Sequence, residues 1–214
     1  MRGRGKGTTG RRRRVTGAPG RTAFPEVRLR LPGWIGAFLP PRSRAYDDPE
    51  DRMRLVVALA RENVERGSGG PFAAAVFDMR TGRLVAPGVN LVVAARWCGA
   101  HAEMVAFAMA QQILGSHDLG GPGMPPHELV TSVEPCAMCL GAAAWSGVRR
   151  IVCGAREEDA RAIGFDEGPK MRGWKAALEG RGIEVVRDIL RGEARGVLRA
   201  YRARGGIIYN GRSG

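Results

Sequence analysis

The chain reads as an α/β protein, a three-layer α/β/α sandwich around a mixed five-stranded sheet. Three observations predict it. Short β-branched and apolar runs alternate with segments of helical period, the first two runs follow one another as a hairpin, and the later ones are separated by helix-length stretches. An opening hairpin followed by strand–helix alternation gives a sheet of mixed direction with helices on both faces. At 214 residues there is room for one catalytic domain with a sizeable core, and too little for two large ones.

The first helix is expected over residues 48–67. Asp48 can cap it, Pro49 fits its first position, Glu50 and Asp51 favour its dipole, and Met53, Val56, Val57, Ala60 and Val64 recur at helical spacing up to Gly67. Residues 72–78 and 83–93, the second interrupted by Pro87 and Gly88, read as two strands joined at 79–82. From His101 a second helix presents Met104, Val105, Ala108, Met109 and Ile113 as its face, with the methionines as core filler. A Gly/Pro-rich loop over 115–126 leads to a strand over 128–133, a helix from Cys136 to about Gly147 and a strand over 150–154. Beyond these, 174–178 reads as helix, 182–186 as a short strand and 189–204 as helix.

The net charge of +13 would suit a polyanion-binding protein, but its distribution is uneven. Residues 1–44 hold twelve Lys or Arg against one acid, Glu26, and leave 22 bases and 20 acids for residues 45–214. The first 44 residues, rich in Arg and Gly, are expected to be a disordered basic extension, and 45–214 the catalytic domain. The extension is read either as a solvated tail, with Met53 a later candidate start, or as a phosphate-binding arm. It has little Ser and no amphipathic face for a transit peptide, and no apolar run reaches membrane-spanning length. Four cysteines with no secreted framework point to a reduced, cytoplasmic protein.

His101-Ala-Glu103 and Glu134-Pro135-Cys136-Ala-Met-Cys139 carry the chemistry. One histidine and two thiolates supply three zinc ligands and leave a fourth tetrahedral position for water. A carboxylate two residues from the histidine points to another side of its helix, where it can serve that water without binding the metal. Cysteines at i and i+3 of a helix start present both sulfurs to one side, near amides that stabilise thiolates, and Pro135 suits such a start. Cys98, three residues before His101, leaves open a closed Cys₃His structural site and with it a catalytically inactive zinc-binding interaction module. Cys153 reads as a buried apolar residue, and His117 and His127 as solvated loop histidines.

H-x-E followed by P-C-x-x-C is the known signature of zinc nucleobase deaminases. Over residues 48–166 the chain resembles the cytidine deaminase-like superfamily, and within it the guanine deaminases and tRNA adenosine deaminases. The resemblance implies Zn²⁺ on His101, Cys136 and Cys139, Glu103 as catalytic acid and base, a small nucleobase or nucleoside substrate losing ammonia, and a homodimer. Asn90 matches an asparagine that binds the ring in these deaminases. Gly69-Gly70-Pro71-Phe72 and Cys139-Leu140-Gly141-Ala142 with Trp145 are closer to guanine deaminase than to the tRNA enzyme, and Phe72 and Trp145 are candidates to flank a flat ring. Ala162-Ile163-Gly164-Phe165-Asp166-Glu167 is similar to the loop whose last acid meets guanine's donor edge. That role falls to Glu167 beside Asp166, with Glu where the family usually has Asp. Tyr209 is the candidate for the tyrosine that the family's tail supplies. The expected reaction is hydrolytic deamination of guanine or a related aminated purine. The alternative is tRNA adenosine-to-inosine deamination, in which the basic arm would bind RNA.

Overall fold

In the computed structural model, which describes residues 24–211, Asp48 accepts a hydrogen bond from Asp51 N–H at 2.7 Å and opens a helix that ends at Glu65. The elements in order are α1 (Trp34–Phe38), α2 (Pro49–Glu65), β1 (Ala73–Asp78), β2 (Leu84–Val89), α3 (Val92–Ala95), α4 (Ala102–Leu114), β3 (His127–Val133), α5 (Ala137–Ser146), β4 (Arg150–Ala155), α6 (Glu157–Arg161), α7 (Trp174–Glu179), β5 (Glu184–Val186) and α8 (Arg191–Ala203).

The strands form one sheet in the order β2-β1-β3-β4-β5. β1 pairs antiparallel with both β2 and β3, whereas β3–β4 and β4–β5 are parallel. The five-stranded mixed sheet expected from the sequence is present. Alternate residues along each strand feed two cores, as the two-residue period of a strand requires. Ala73, Ala75, Phe77, Val130 and Val152 pack with residues of α2 and α8, while Ala74, Val76, Leu129, Ile151 and Cys153 pack with residues of α4 and α5. Pro87 is accommodated because β2 is an edge strand.

Several expectations need correction. The second strand does not run to Val93: the chain leaves it at Val89 and makes the short α3. Pro135 does not start its helix, because Cys136 is the N-cap and Pro135 stands before it. His127 is not a solvated loop residue. It begins β3, is buried, and its Nδ1 lies 2.7 Å from Leu119 O. The expected arm of residues 1–44 extends into the described residues at 24, and there the chain is not free of the fold. Ile35 of α1 is buried in the α2-side core, Trp34 donates Nε1–H to Ser68 Oγ at 2.9 Å, and Leu29, Leu31 and Leu39 pack alongside. Few apolar residues are needed when they land on an existing surface. Residues 1–23 lie outside the described residues. No helix among the described residues is long and apolar enough to cross a membrane.

The core-facing side of α4 carries mostly small residues, Ala102, Val105, Ala106 and Ala110, with Phe107 beside them, and Ile113 is exposed. The reason is how closely α4 lies on β2. A Cβ at Gly88 would stand 2.2 Å from Ala102 O and 2.5 Å from Ala106 N, both backbone atoms. Gly88→Ala therefore has to lift the first turn of α4, which carries Glu103. We expect it to destabilise the fold by about 1–3 kcal/mol, read from urea unfolding, and to lower turnover even where the variant remains folded.

Candidate active site

The sheet geometry brings two helix starts together. α4 begins after His101 and α5 after Cys136, and each of these N-caps has an extended backbone and no side-chain capping bond. Both side chains are thus free to turn toward one another. Cys136 Sγ lies 3.5 Å and Cys139 Sγ 3.7 Å from His101 Nδ1, and the three donor atoms fall within 4.8 Å of each other. Tetrahedral zinc with Zn–S of about 2.3 Å and Zn–N of about 2.0–2.1 Å would set nitrogen and sulfur roughly 3.6 Å apart. The donor set fits that ion. Cys98, the fourth donor that a closed site would need, is exposed and outside this group, although it lines the same cavity.

Glu103, in the first turn of α4, is 7% exposed, and Thr131 Oγ1 of β3 donates to its Oε1 at 3.3 Å. Burial and the neighbouring Cys136 hold its pKa above the usual carboxylate value. Cys136 is pushed down to about 4, chiefly by its hydrogen bond with Cys139 and further by His101. That same bond and burial push Cys139 up. Burial works against the charge of His101, but hydrogen bonding to Cys136 and the surrounding negative groups outweigh it and raise its pKa.

A cavity of about 470 Å³ opens over the cluster. Phe72, Phe165 and Tyr209 supply aromatic walls, with Phe165 edge-on to Phe72 at 4.8 Å and to Tyr209 at 5.2 Å. Asn90, at the end of β2, lines the cavity and is 1% exposed. Glu167 is 6% exposed, and its carboxylate makes no hydrogen bond or ion pair to another described residue. Burial first, then the charges of Cys136 and Glu103, raise its pKa to about 8. Asp166 is exposed, and its Oδ1 accepts from Gly168 N–H at 2.9 Å. Of the two neighbouring acids, Glu167 is therefore the one turned inward.

Trp145 does not flank this cavity. It is 83% exposed and lines a separate groove with Leu140, Met171 and Trp174. Six residues beyond Cys139 is roughly 240° around a helix, away from the metal side. Three contributors escaped the sequence reading. Phe165 stands out in the sequence only as part of a loop motif. Asn210 donates Nδ2–H to Gly164 O at 2.9 Å and accepts from Asp166 N–H at 2.9 Å, clipping the C-terminal segment to the acid loop. Asn63 of α2, fully buried, donates to Gly70 O at 2.9 Å and to Asn90 O at 3.0 Å. An asparagine on the buried face of an otherwise apolar helix is the signal that could have revealed it.

The comparisons with known proteins agree with this geometry. Residues 47–155 match the family model for the cytidine and deoxycytidylate deaminase zinc-binding region. The chain belongs to this family. As a deaminase it is a hydrolase of carbon–nitrogen bonds. Among relatives, it is 37% identical over 118 residues to the guanine deaminase of Bacillus subtilis, covering 55% of this chain and 71% of that one. Among solved structures, the guanine deaminase of Nitrosomonas europaea is 48% identical, with a TM-score of 0.79 over 83% of this chain and 97% of that one. A tRNA-specific adenosine deaminase of Agrobacterium fabrum is 32% identical over 111 residues, covering 52% of this chain and 68% of that one.

The two bonds from Asn63 give the deaminase a measurable dependence on a residue outside the cavity. Asn63→Leu leaves two buried carbonyls without a donor, and we expect a loss of about 2–4 kcal/mol in urea unfolding.

Proposed function

We propose that this deaminase hydrolyses guanine, or a purine with the same donor edge, with zinc held by His101, Cys136 and Cys139. The observation that carries the reading is Glu167, a buried carboxylate with no hydrogen-bond or ion-pair partner among the described residues, on the wall of an aromatic-lined cavity. Such a group calls for a ligand with donors. Guanine offers a ring N–H and an amino group side by side, which one carboxylate accepts as a pair, whereas adenine and cytosine lack that arrangement. The names of the Bacillus and Nitrosomonas relatives support the same ring.

When bound, zinc supplies a Lewis acid that makes water nucleophilic near neutral pH. The remaining work belongs to the chain. Phe72, Phe165 and Tyr209 hold the flat ring and exclude solvent, and Asn90 offers an amide that can both donate and accept. Glu167 orients the amino group. Glu103 takes a proton from the attacking water and returns protons to a ring nitrogen and to the departing amine. A carbon–oxygen bond forms, the carbon–nitrogen bond breaks, and one ammonia leaves for each water consumed. A carboxyl whose pKa is raised is suited to both halves of that transfer.

Ammonia release from guanine, compared with guanosine, adenine, cytosine and a tRNA anticodon stem-loop, tests the assignment. Turnover of the stem-loop in place of guanine would transfer it to the tRNA reading. Glu103→Ala is expected to keep its zinc while kcat falls by on the order of 10²–10⁴, and near-normal turnover in that variant would remove the mechanism.

The raised pKa of Glu167 gives a pH signature. With a value of about 8 in the free protein, the group is protonated below that pH and becomes an acceptor above it. Accordingly, kcat/KM for guanine should rise through pH 7–8. Glu167→Gln should flatten the rise and raise KM by roughly 10- to 100-fold. A wild-type profile that falls over this range would contradict the role.

A further inference from the structure

Three residues beyond Glu167, the side chain of Lys170 is buried just behind the cavity lining. Its side chain is 4% exposed, with Nζ 3.4 Å from Glu134 Oε2, 3.1 Å from Glu157 Oε2 and 4.6 Å from the centre of the Trp174 ring. A buried ammonium is tolerated only when it is paired, and this one has two carboxylates and an aromatic face.

The partners are not ordinary surface acids. Glu134 is 3% exposed and stands between β3 and the Pro135-Cys136 step. Its N–H donates to Ala155 O at 2.8 Å, its Oε2 accepts from Glu157 N–H at 3.3 Å, and its Oε1 takes an ion pair from Arg187. Arg187 comes from a turn in which Asp188 and Leu190 hold positive φ angles of 68° and 50°. Glu134 is therefore a fixed post at the sheet end that leads into the first cysteine.

The acid loop is also held near its middle, where Ala137 N–H, the first amide of α5, donates to Glu167 O at 3.0 Å. Between the two attachments lies Gly168, with a φ of +71° that few other residues adopt. Without the Lys170 anchor, the loop would keep this backbone bond, the Asp166 N–H bond to Asn210 Oδ1 and the Arg161 bond to Gly168 O, but its far end, beyond the glycine, would lose its tie to the strand that leads into Cys136.

We propose that Lys170 is a positioning residue: its ammonium, locked between Glu134 and Glu157, ties the loop of residues 165–170 to the strand end leading into Cys136. This tie sets the separation between the Glu167 carboxylate and the His101, Cys136 and Cys139 cluster. The inference rests on the purine-binding role given to Glu167 above. Its consequence for rate follows from the steep dependence of catalysis on placement, since a shift of about 1 Å can cost on the order of 100-fold.

A double-mutant cycle on the full, zinc-loaded chain tests it, with Lys170→Met, Glu167→Gln and their combination assayed for kcat and KM on guanine. Lys170→Met should retain the wild-type zinc content and lose roughly 10- to 100-fold in kcat/KM. The double variant should match Glu167→Gln alone to within about twofold, because Lys170 acts through that carboxylate. Lys170→Arg, whose guanidinium can still reach both acids, should recover part of the loss. Losses that multiply in the double variant, or wild-type kcat/KM in Lys170→Met, would overturn the proposal. If Lys170→Met does not fold, Glu157→Gln removes one of the two anchors and takes its place in the cycle.

Hydrogen exchange separates this inference from the assignment of the reaction. In Lys170→Met, amides of residues 165–168 should exchange faster by on the order of tenfold while those of α8 are unchanged, whichever ring the wild-type protein deaminates. An unchanged rate there sinks the role of Lys170. An absence of ammonia from guanine in the wild type sinks the substrate reading alone.

Discussion

Two helix starts meeting at the ends of β2 and β3 are the constraint on which the site depends. An α-helix begins with amides that have no partner inside it, and the residue before the first turn still has an extended backbone and a free direction for its side chain. His101 and Cys136 both occupy that position, and neither uses its side chain as a cap. Each projects out of its helix toward the other, while Cys139 joins from one turn further along α5. The Gly88 contact brings α4 down onto β2, and the parallel pairing of β3 with β4 places Pro135 and Cys136 beside the end of β4. Moving either helix start by an ångström would open the triangle of donors.

Charge explains the arrangement around that triangle. Cys136, Glu103 and Glu167 gather negative or potentially negative groups in a buried place, and among the described residues neither carboxylate forms a salt bridge. The nearby cations Lys170 and Arg187 are committed to Glu134, at the edge of the same cavity. A divalent ion held by the cluster would supply the compensating positive charge. In the proposed reaction, these two carboxylates would then be available for proton transfer and for a ligand's donors.

Much of this was legible in the sequence because the signals were local. Asp48-Pro49-Glu50-Asp51 writes a helix start in adjacent residues, and the H-x-E and P-C-x-x-C spacings describe single helix turns, so the metal-type cluster follows from them. What was hidden depends on packing between distant segments. The face of α4 was read from its largest side chains, but a helix pressed onto a glycine needs small ones. The motif around Trp145 suggests a ring neighbour, but its angle around α5 turns it outward. Ile35 sits in a stretch whose composition is that of a tail, and its burial depends on a surface built by α2 and the sheet. Asn63 and Lys170 belong to no motif, and their partners lie 27 and 36 residues away.

The bond between the two cysteine side chains carries one more consequence. With Cys136 lowered to about 4 and Cys139 raised, the two sulfurs are unequal, one favouring the thiolate and the other the thiol. Coordination requires both sulfurs ionised, so each loading event expels a proton into solvent. Binding of zinc by these residues would therefore weaken as the medium is acidified.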